Sequence, residues 1–216
     1  MFYVDVDTQY DFCDPKGALA VKGAQDILPN IRRLLAHAQG SLIVGSVDTH
    51  NFSAWEFAEN GGPFPPHCVK GTPGWLKMPG TLPSRAVFVP TVDVTPVLPA
   101  GFGALYFEKE VYSLFANPAA ESTLKRLTKN EPAVVFGVAT DYCVRAAALG
   151  LEVRDLGGQV VLEDVVPEQD ADRVVPGEAS RQTERLGDAA RLILDAVGEG
   201  ALAARTAAKQ PHDVAH

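Results

Sequence analysis

Apolar positions along the chain fall into two alternating patterns. Short runs of β-branched and aromatic residues read as strands: Phe2 to Val6, Leu42 to Val47, Val87 to Val89, Leu105 to Phe107, Val134 to Val138 and Val160 to Leu162. Each is bounded by Gly, Pro or polar clusters. Between several of them the spacing changes to that of a helix. One such stretch puts Ile27, Ile31, Leu34 and Leu35 on one face; others are predicted over Ala119 to Leu127, Tyr142 to Leu149 and Ser180 to Val197. The last would bury Leu186, Ala190, Ile193, Leu194 and Val197. Strand–helix alternation of this kind predicts an α/β protein, a three-layer α/β/α sandwich on a mostly parallel sheet of six or so strands. In such sheets ligands bind outside the carboxyl ends of the strands. The residues that directly follow each strand are therefore where chemistry is expected.

One segment departs from the alternation. Asn51 to Pro83 is rich in Gly, Pro and aromatic residues with little periodicity, and it is too long for an idle connection. A long ordered loop at a strand end is a natural place for a site. The tail 198–216 opens with Gly198-Glu199-Gly200, becomes Ala-rich and then polar, and is expected to fray. The organisation predicted is one domain over 1–197, with a functional loop at 48–83 and a C-terminal tail.

Composition narrows the function classes. A chain of 216 residues that is 46% hydrophobic can bury a core as a single domain. Lys and Arg number 19 against 27 for Asp and Glu, a net charge of −8, so neither a phosphate backbone nor an anionic membrane attracts it. The opening residues MFYVDVDTQYDF carry carboxylates and no basic stretch, unlike a secretory signal. No apolar run approaches the roughly 18 residues of a membrane span. A cytoplasmic protein is expected. Cys13, Cys68 and Cys143 are odd in number and widely spaced, so free thiols are expected.

One of those thiols sits where chemistry is expected. After the strand ending at Val138, Thr140 is a candidate N-cap and Cys143 falls in the first helical turn. There the positive end of the helix dipole would lower its pKa toward the thiolate, and free N–H groups could hold an oxyanion. Position alone does not separate this from a packing role, which a small apolar Cys at a turn also suits. Asp7, just past the first strand, could act as general base, and Lys109, at the end of Phe107-Glu108-Lys109, could stabilise negative charge. Asp48-Thr49-His50 follows another strand and projects Asp48 and His50 to the same side. His67 comes later, in Phe64-Pro65-Pro66-His67-Cys68, with Glu56 and Glu59 between. Two imidazoles with one or two carboxylates suit Zn²⁺, Fe²⁺ or Mn²⁺ and leave positions open for water or substrate. His37, His212 and His216 read as surface or tail.

Taken in order, five motifs resemble the nicotinamidase branch of the isochorismatase-like cysteine hydrolases, and the resemblance runs from residue 4 to about residue 166. They are Val6-Asp7-Thr8-Gln9-Tyr10-Asp11-Phe12; Asp48-Thr49-His50; Phe64-Pro65-Pro66-His67-Cys68-Val69-Lys70-Gly71-Thr72; Lys109 with Tyr112-Ser113-Leu114-Phe115; and Gly137-Val138-Ala139-Thr140-Asp141-Tyr142-Cys143-Val144. The resemblance implies a Rossmann-like fold and a catalytic triad of Asp7, Lys109 and Cys143. It implies a cis Val138–Ala139 peptide that turns the Ala139 N–H toward the oxyanion beside that of Cys143. It further implies one divalent metal, zinc first and iron or manganese next, on Asp48, His50 and His67, with no organic cofactor. Glu59 fits the spacing of an additional ligand better, but this loop is one residue longer, which leaves Glu56 open as the alternative. Phe12 and Phe64 would wall a pyridine ring and Tyr112 would line the pocket. Tyr10 stands where many members have Asn, and the connection from Lys109 to Tyr112 is shorter than in some relatives.

The substrate so implied is nicotinamide, hydrolysed to nicotinic acid and ammonia through a thioester on Cys143, with pyrazinamide also accepted. A homo-oligomer is compatible with it. Two rivals remain at this point: a sister hydrolase acting on a ureido, carbamoyl or maleamic amide or on isochorismate, and a silent binding protein on the same fold. Metal content separates the first, and the reactivity of Cys143 the second.

Overall fold

The computed structural model describes residues 1–157 apart from 94 and 130, together with the backbone of 160–162. Six strands, β1 (Phe2–Val6), β2 (Leu42–Asp48), β3 (Ala86–Val89), β4 (Ala104–Lys109), β5 (Ala133–Gly137) and β6 (Val160–Leu162), form one sheet in the order β3-β4-β2-β1-β5-β6. Every pairing is parallel. β1 is central and buried throughout, which explains why it reads as a continuous apolar run interrupted only by Asp5.

Alternate residues of the strands feed two cores. Tyr3, Ile43, Tyr106, Val134 and Phe136 pack with helix α2 (Ala24–His37) through Ile27, Ile31, Leu34 and Leu35, the face that the sequence predicts, and with the short helix α1 (Tyr10–Cys13). Phe2, Val4, Val44, Leu105, Phe107 and Val135 pack with α3 (Ala120–Thr128) and α4 (Arg145–Val153) on the other face. The three-layer expectation is met. The predicted helix over Ser180 to Val197, the tail 198–216 and the far end of the 1–197 domain lie outside the described residues.

Two boundaries differ from the sequence expectation. The helix expected over Tyr142 to Leu149 begins as a wide π-type turn, Thr140–Val144, and continues as α4 through Gly150 to Val153. Gly150 does not end it: a Cβ there would come within 2.4 Å of the Phe115 ring, so the glycine makes room for a packed aromatic. Thr140 is not the cap either. Ala139 occupies that position in extended conformation, and Thr140 is the first residue of the turn.

The segment 51–83 is fastened to the sheet at several points. His50 pairs with Val69 and Gln9 with Lys77, while Phe57 and Phe64 pair within the segment. Lys77 reaches inward to Asp5 at 2.9 Å, and the same carboxylate accepts from Tyr106 Oη at 2.9 Å and Thr8 Oγ1 at 2.9 Å. The one polar residue of β1 is thus the anchor for the end of the loop.

Candidate active site and metal centre

The register of the sheet assembles the first cluster. β1 pairs Val6 with Ser46 on one side and Gly137 on the other, and β2 pairs Asp48 with Lys109 of β4. Asp7, Asp48, Lys109 and the segment after β5 therefore emerge at one level of one sheet edge. Asp7 turns out of β1 with φ +49, a left-handed conformation that a non-glycine residue rarely adopts and that often marks a functional position. Gly137 has φ +131, and a Cβ on it would meet the Val6 carbonyl oxygen at 2.0 Å; only glycine lets β5 leave the sheet here.

The side chains then converge. Lys109 Nζ lies 2.8 Å from Asp7 Oδ2, 3.2 Å from Asp48 Oδ1 and 3.6 Å from Cys143 Sγ. Ser46 Oγ donates to the other Asp7 oxygen at 2.8 Å, fixing the carboxylate from the side. Asp7 and Lys109 are fully buried and Cys143 nearly so. The Val138–Ala139 peptide is cis. The structure thus brings Asp7, Lys109 and Cys143 together.

Burial opposes a charge on Lys109, yet Asp48, Asp7 and Cys143 outweigh it and hold the ammonium well above its ordinary value. Cys143 goes the other way from the sequence expectation. Burial pushes its thiol well up; Lys109 pulls it down, but Asp7 and Asp48 add to the rise. The helix start was expected to lower it, and desolvation beside two carboxylates wins instead. The Cys143 side chain is therefore held as the neutral thiol.

A second cluster adjoins the first through Asp48. Its Oδ2 lies 3.0 Å from His50 Nε2 and 3.4 Å from His67 Nε2, and Glu56 Oε1 lies 3.2 Å from each of the same nitrogens. All four residues are buried, and their donor atoms lie within 4.8 Å of one another. His67 Nδ1 donates to the Pro65 carbonyl at 2.8 Å, so Nε2 is the nitrogen turned to the cluster. A tetrahedral zinc with bonds of roughly 2.0–2.1 Å has ligand–ligand edges of about 3.3–3.4 Å, so these donors fit a divalent ion. Burial opposes ionisation of Asp48, but Lys109 and the two imidazoles hold it far below the carboxylate range. Burial likewise opposes a charge on His67, and the bonds to Asp48 and Pro65 raise it nonetheless. Glu56 is raised, chiefly by burial.

The fourth ligand position corrects the sequence reading. Glu56, not Glu59, points into the cluster; Glu59 is exposed on the turn Ala58–Asn60. The reason is local. Phe64 N–H donates to the Glu56 carbonyl and Ala58 N–H to the Phe64 carbonyl, so the loop doubles back at Gly61-Gly62 and carries Glu59 out to solvent. A Cβ on Gly62 would lie 2.1 Å from the Glu56 backbone, so the fold-back requires glycine.

The aromatic expectations fall around the same centre. Phe12 and Phe64 rings lie 5.7 Å and 5.9 Å from the His67 ring. Tyr112 is about half exposed and packs against Tyr142, ring centroids 5.3 Å apart. Phe57, which the sequence did not single out, is fully buried beneath both imidazoles, 5.3 Å from His50 and 5.5 Å from His67. Ser46 was also missed, because a serine inside a strand carries no signal until a register is known. Asp11 Oδ2 accepts the Cys68 N–H at 2.7 Å and so tethers the residue after His67. A surface cleft of about 230 Å³ beside Lys70, Glu108 and Glu110 shares only His50 with the two clusters. Cys13, Cys68 and Cys143 are free and buried, as expected of thiols. No helix among the described residues is long and apolar enough to cross a membrane.

Comparison with known proteins bears on this geometry. The isochorismatase domain matches residues 3–173. The chain is 32% identical over 152 residues to the nicotinamidase/pyrazinamidase of Mycobacterium tuberculosis, covering 66% of this chain and 74% of that protein. Among solved structures it resembles the zinc complex of Pyrococcus horikoshii pyrazinamidase, with a TM-score of 0.55 and 30% identity over 80% of this chain and 90% of that one. It also resembles L. infantum PnC1 in complex with nicotinate, with a TM-score of 0.56 and 25% identity over 74% and 77% of the two chains. With a family match over residues 3–173 and relatives at 30–32% identity, the chain belongs to the isochorismatase family of hydrolases and is similar within it to nicotinamidase/pyrazinamidases.

Proposed function

We propose that the protein hydrolyses nicotinamide to nicotinic acid and ammonia, and pyrazinamide likewise, with Cys143 as nucleophile. The observation that carries this reading is Asp48: one carboxylate joins a Cys143–Lys109–Asp7 cluster to a four-residue metal cage. An amide held against both must present a carbonyl carbon to sulfur and a donor atom to the cage, which a pyridine carboxamide does. The relatives' names point the same way.

The neutral thiol sets the order of events. As Sγ bonds to the amide carbon, Asp7 takes the proton that burial keeps on Cys143, and the carbonyl oxygen becomes an oxyanion held by the Ala139 and Cys143 N–H groups. Lys109 remains an ammonium throughout and offsets the charge that moves between sulfur and Asp7. The oxyanion collapses, the C–N bond breaks, and Asp7 returns its proton to the departing ammonia. Water then adds to the thioester with Asp7 again as base, releasing the acid and restoring the thiol. Asp48, His50, His67 and Glu56 would hold the divalent ion, zinc first, which supplies a Lewis-acid contact to the ring nitrogen. Phe12, Phe64 and Tyr112 would enclose the ring and exclude water. No organic cofactor enters the reaction. Free thiols support a cytoplasmic enzyme.

The test is ammonia release from nicotinamide by protein loaded with zinc, with and without chelator, beside a Cys143→Ala variant. Turnover that chelator suppresses and Cys143→Ala abolishes, with the variant's metal content unchanged, is expected. A protein that binds no metal and turns over a carbamoyl or ureido amide instead would sink the substrate assignment; residual turnover in Cys143→Ala would sink the nucleophile.

A further inference from the structure

The ladder between β1 and β2 stops one step before the site. Its last pair is Val6 with Ser46, because Asp7 turns away with φ +49, whereas β2 continues beside β4 as far as Asp48 with Lys109. Asp48 therefore has no β1 residue opposite it. The side chain of Gln9 takes that place. Its Nε2 donates to the Asp48 carbonyl at 2.8 Å, and the Asp48 N–H donates to its Oε1 at 2.7 Å, so the amide lies along the Asp48 peptide as a neighbouring strand would.

The same Nε2 donates to the Trp75 carbonyl at 3.0 Å, and the Gln9 N–H donates to the Asp7 carbonyl at 2.7 Å. Gln9 is fully buried, and both hydrogens of its amide are committed. No donor of that amide is left for a substrate, so any effect on the reaction passes through Asp48. Asp48 in turn divides its carboxylate between Lys109 at 3.2 Å and the two imidazoles at 3.0 and 3.4 Å. A shift of Asp48 by a few tenths of an ångström would alter both clusters together.

We propose that Gln9 is a positioning residue, a one-side-chain substitute for a missing strand that sets Asp48, and with it the metal cage, against the Cys143 cluster. The proposal rests on the metal reading given above. Residues that support ligands in this manner typically change metal affinity by about 10–100-fold when lost.

The experiment measures zinc affinity by chelator competition and melting temperature without metal, for wild type, Gln9→Met and Gln9→Glu. Met keeps the length and loses the amide; Glu keeps the acceptor for the Asp48 N–H but turns an oxygen on two carbonyl oxygens. Both are expected to weaken zinc binding by about 10–100-fold. Leu124→Val, in α3 on the other face of the sheet, is expected to lower the melting temperature and leave zinc affinity unchanged. Should Gln9→Met not fold, Gln9→Asn, which retains the amide but withdraws it by one methylene, carries the same expectation. Wild-type zinc affinity in the folded Gln9 variants, or a loss no larger than that of Leu124→Val, would overturn the proposal alone. A wild-type protein that binds no divalent metal would overturn the metal reading, and the proposal with it.

Discussion

Replacing Lys109 by Met keeps the aliphatic stem and removes the charge on which both clusters lean. At an effective dielectric constant near 20, the contacts of 2.8 Å to Asp7 and 3.2 Å to Asp48 correspond to gross attractions of about 6 and about 5 kcal/mol. Taking the ammonium and two carboxylates out of water offsets much of that, and removing one partner of a buried pair costs about 3–5 kcal/mol net. Against a typical total stability of about 5–15 kcal/mol, the metal-free variant should still fold but melt roughly 6–20 °C lower. The loss should shrink on acidification. Wild type keeps the contribution of Asp48 at any pH above the ordinary carboxylate value, since its pKa is depressed. In the variant Asp48, without the ammonium that holds it ionised, can take up a proton as the pH falls, which relieves its burial. Turnover should fall by about 10²–10³-fold, the usual cost of removing one preorganised electrostatic group. Thermal unfolding from pH 5 to pH 8, with and without zinc, and steady-state ammonia release measure both effects. A variant that melts within about 2 °C of wild type, less than 1 kcal/mol for a chain of this size, would refute the charge arrangement read here.

Three further outcomes follow from the same geometry. Glu56→Ala should weaken zinc binding by more than the about 100-fold upper range of supporting residues, and Glu59→Ala should leave it unchanged; the opposite result in a chelator titration would return the ligand to Glu59. In metal-free protein the raised His67 contributes stability that is complete below about pH 6.5 and is lost as the pH rises through its higher folded value, whereas zinc must displace that proton and binds more tightly as the pH rises. Melting temperature against pH should therefore slope in opposite directions with and without zinc, and parallel curves would contradict it. Gly137→Ala places a Cβ 2.0 Å from the Val6 carbonyl at φ +131 and should prevent recovery of folded protein; a soluble variant with the wild-type melting temperature would show that β5 leaves the sheet differently.

How much of this was legible in the sequence depended on whether a feature is local. Six strands and the buried face of α2 follow from apolar spacing, which is a property of neighbours in the chain. Asp7, Asp48 and Lys109 could be nominated because each follows a strand, and a parallel sheet gathers strand ends at one edge. Glu56 against Glu59 could not be settled that way. The choice depends on a fold-back at Gly61-Gly62 and on the hydrogen bonds between Phe64 and the backbone of Glu56 and Ala58, which relative spacing does not encode. Phe57 and Ser46 were silent for a related reason: each acts through a neighbour distant in sequence, an imidazole above one and a carboxylate beside the other.

Cys143 shows where local reasoning reverses sign. From the sequence, a cysteine at a helix start beside a strand-end lysine argues for a lowered pKa, because a partial positive charge and an ammonium both favour the thiolate. The structure adds two facts that sequence position does not carry: the sulfur is buried, and the same lysine is already engaged by two carboxylates. Burial is the largest effect and raises the thiol; Lys109 pulls it down, and Asp7 and Asp48 act against that pull. In the reaction proposed above, a neutral resting thiol makes Asp7 necessary as a proton acceptor, not merely as a partner for Lys109. It also makes the charge on Asp48 matter to the sulfur, since whatever draws on Oδ2 from the cage changes how strongly Oδ1 holds the ammonium. The two clusters are then one electrostatic unit, and the place to divide them experimentally is Asp48 and the glutamine that holds it.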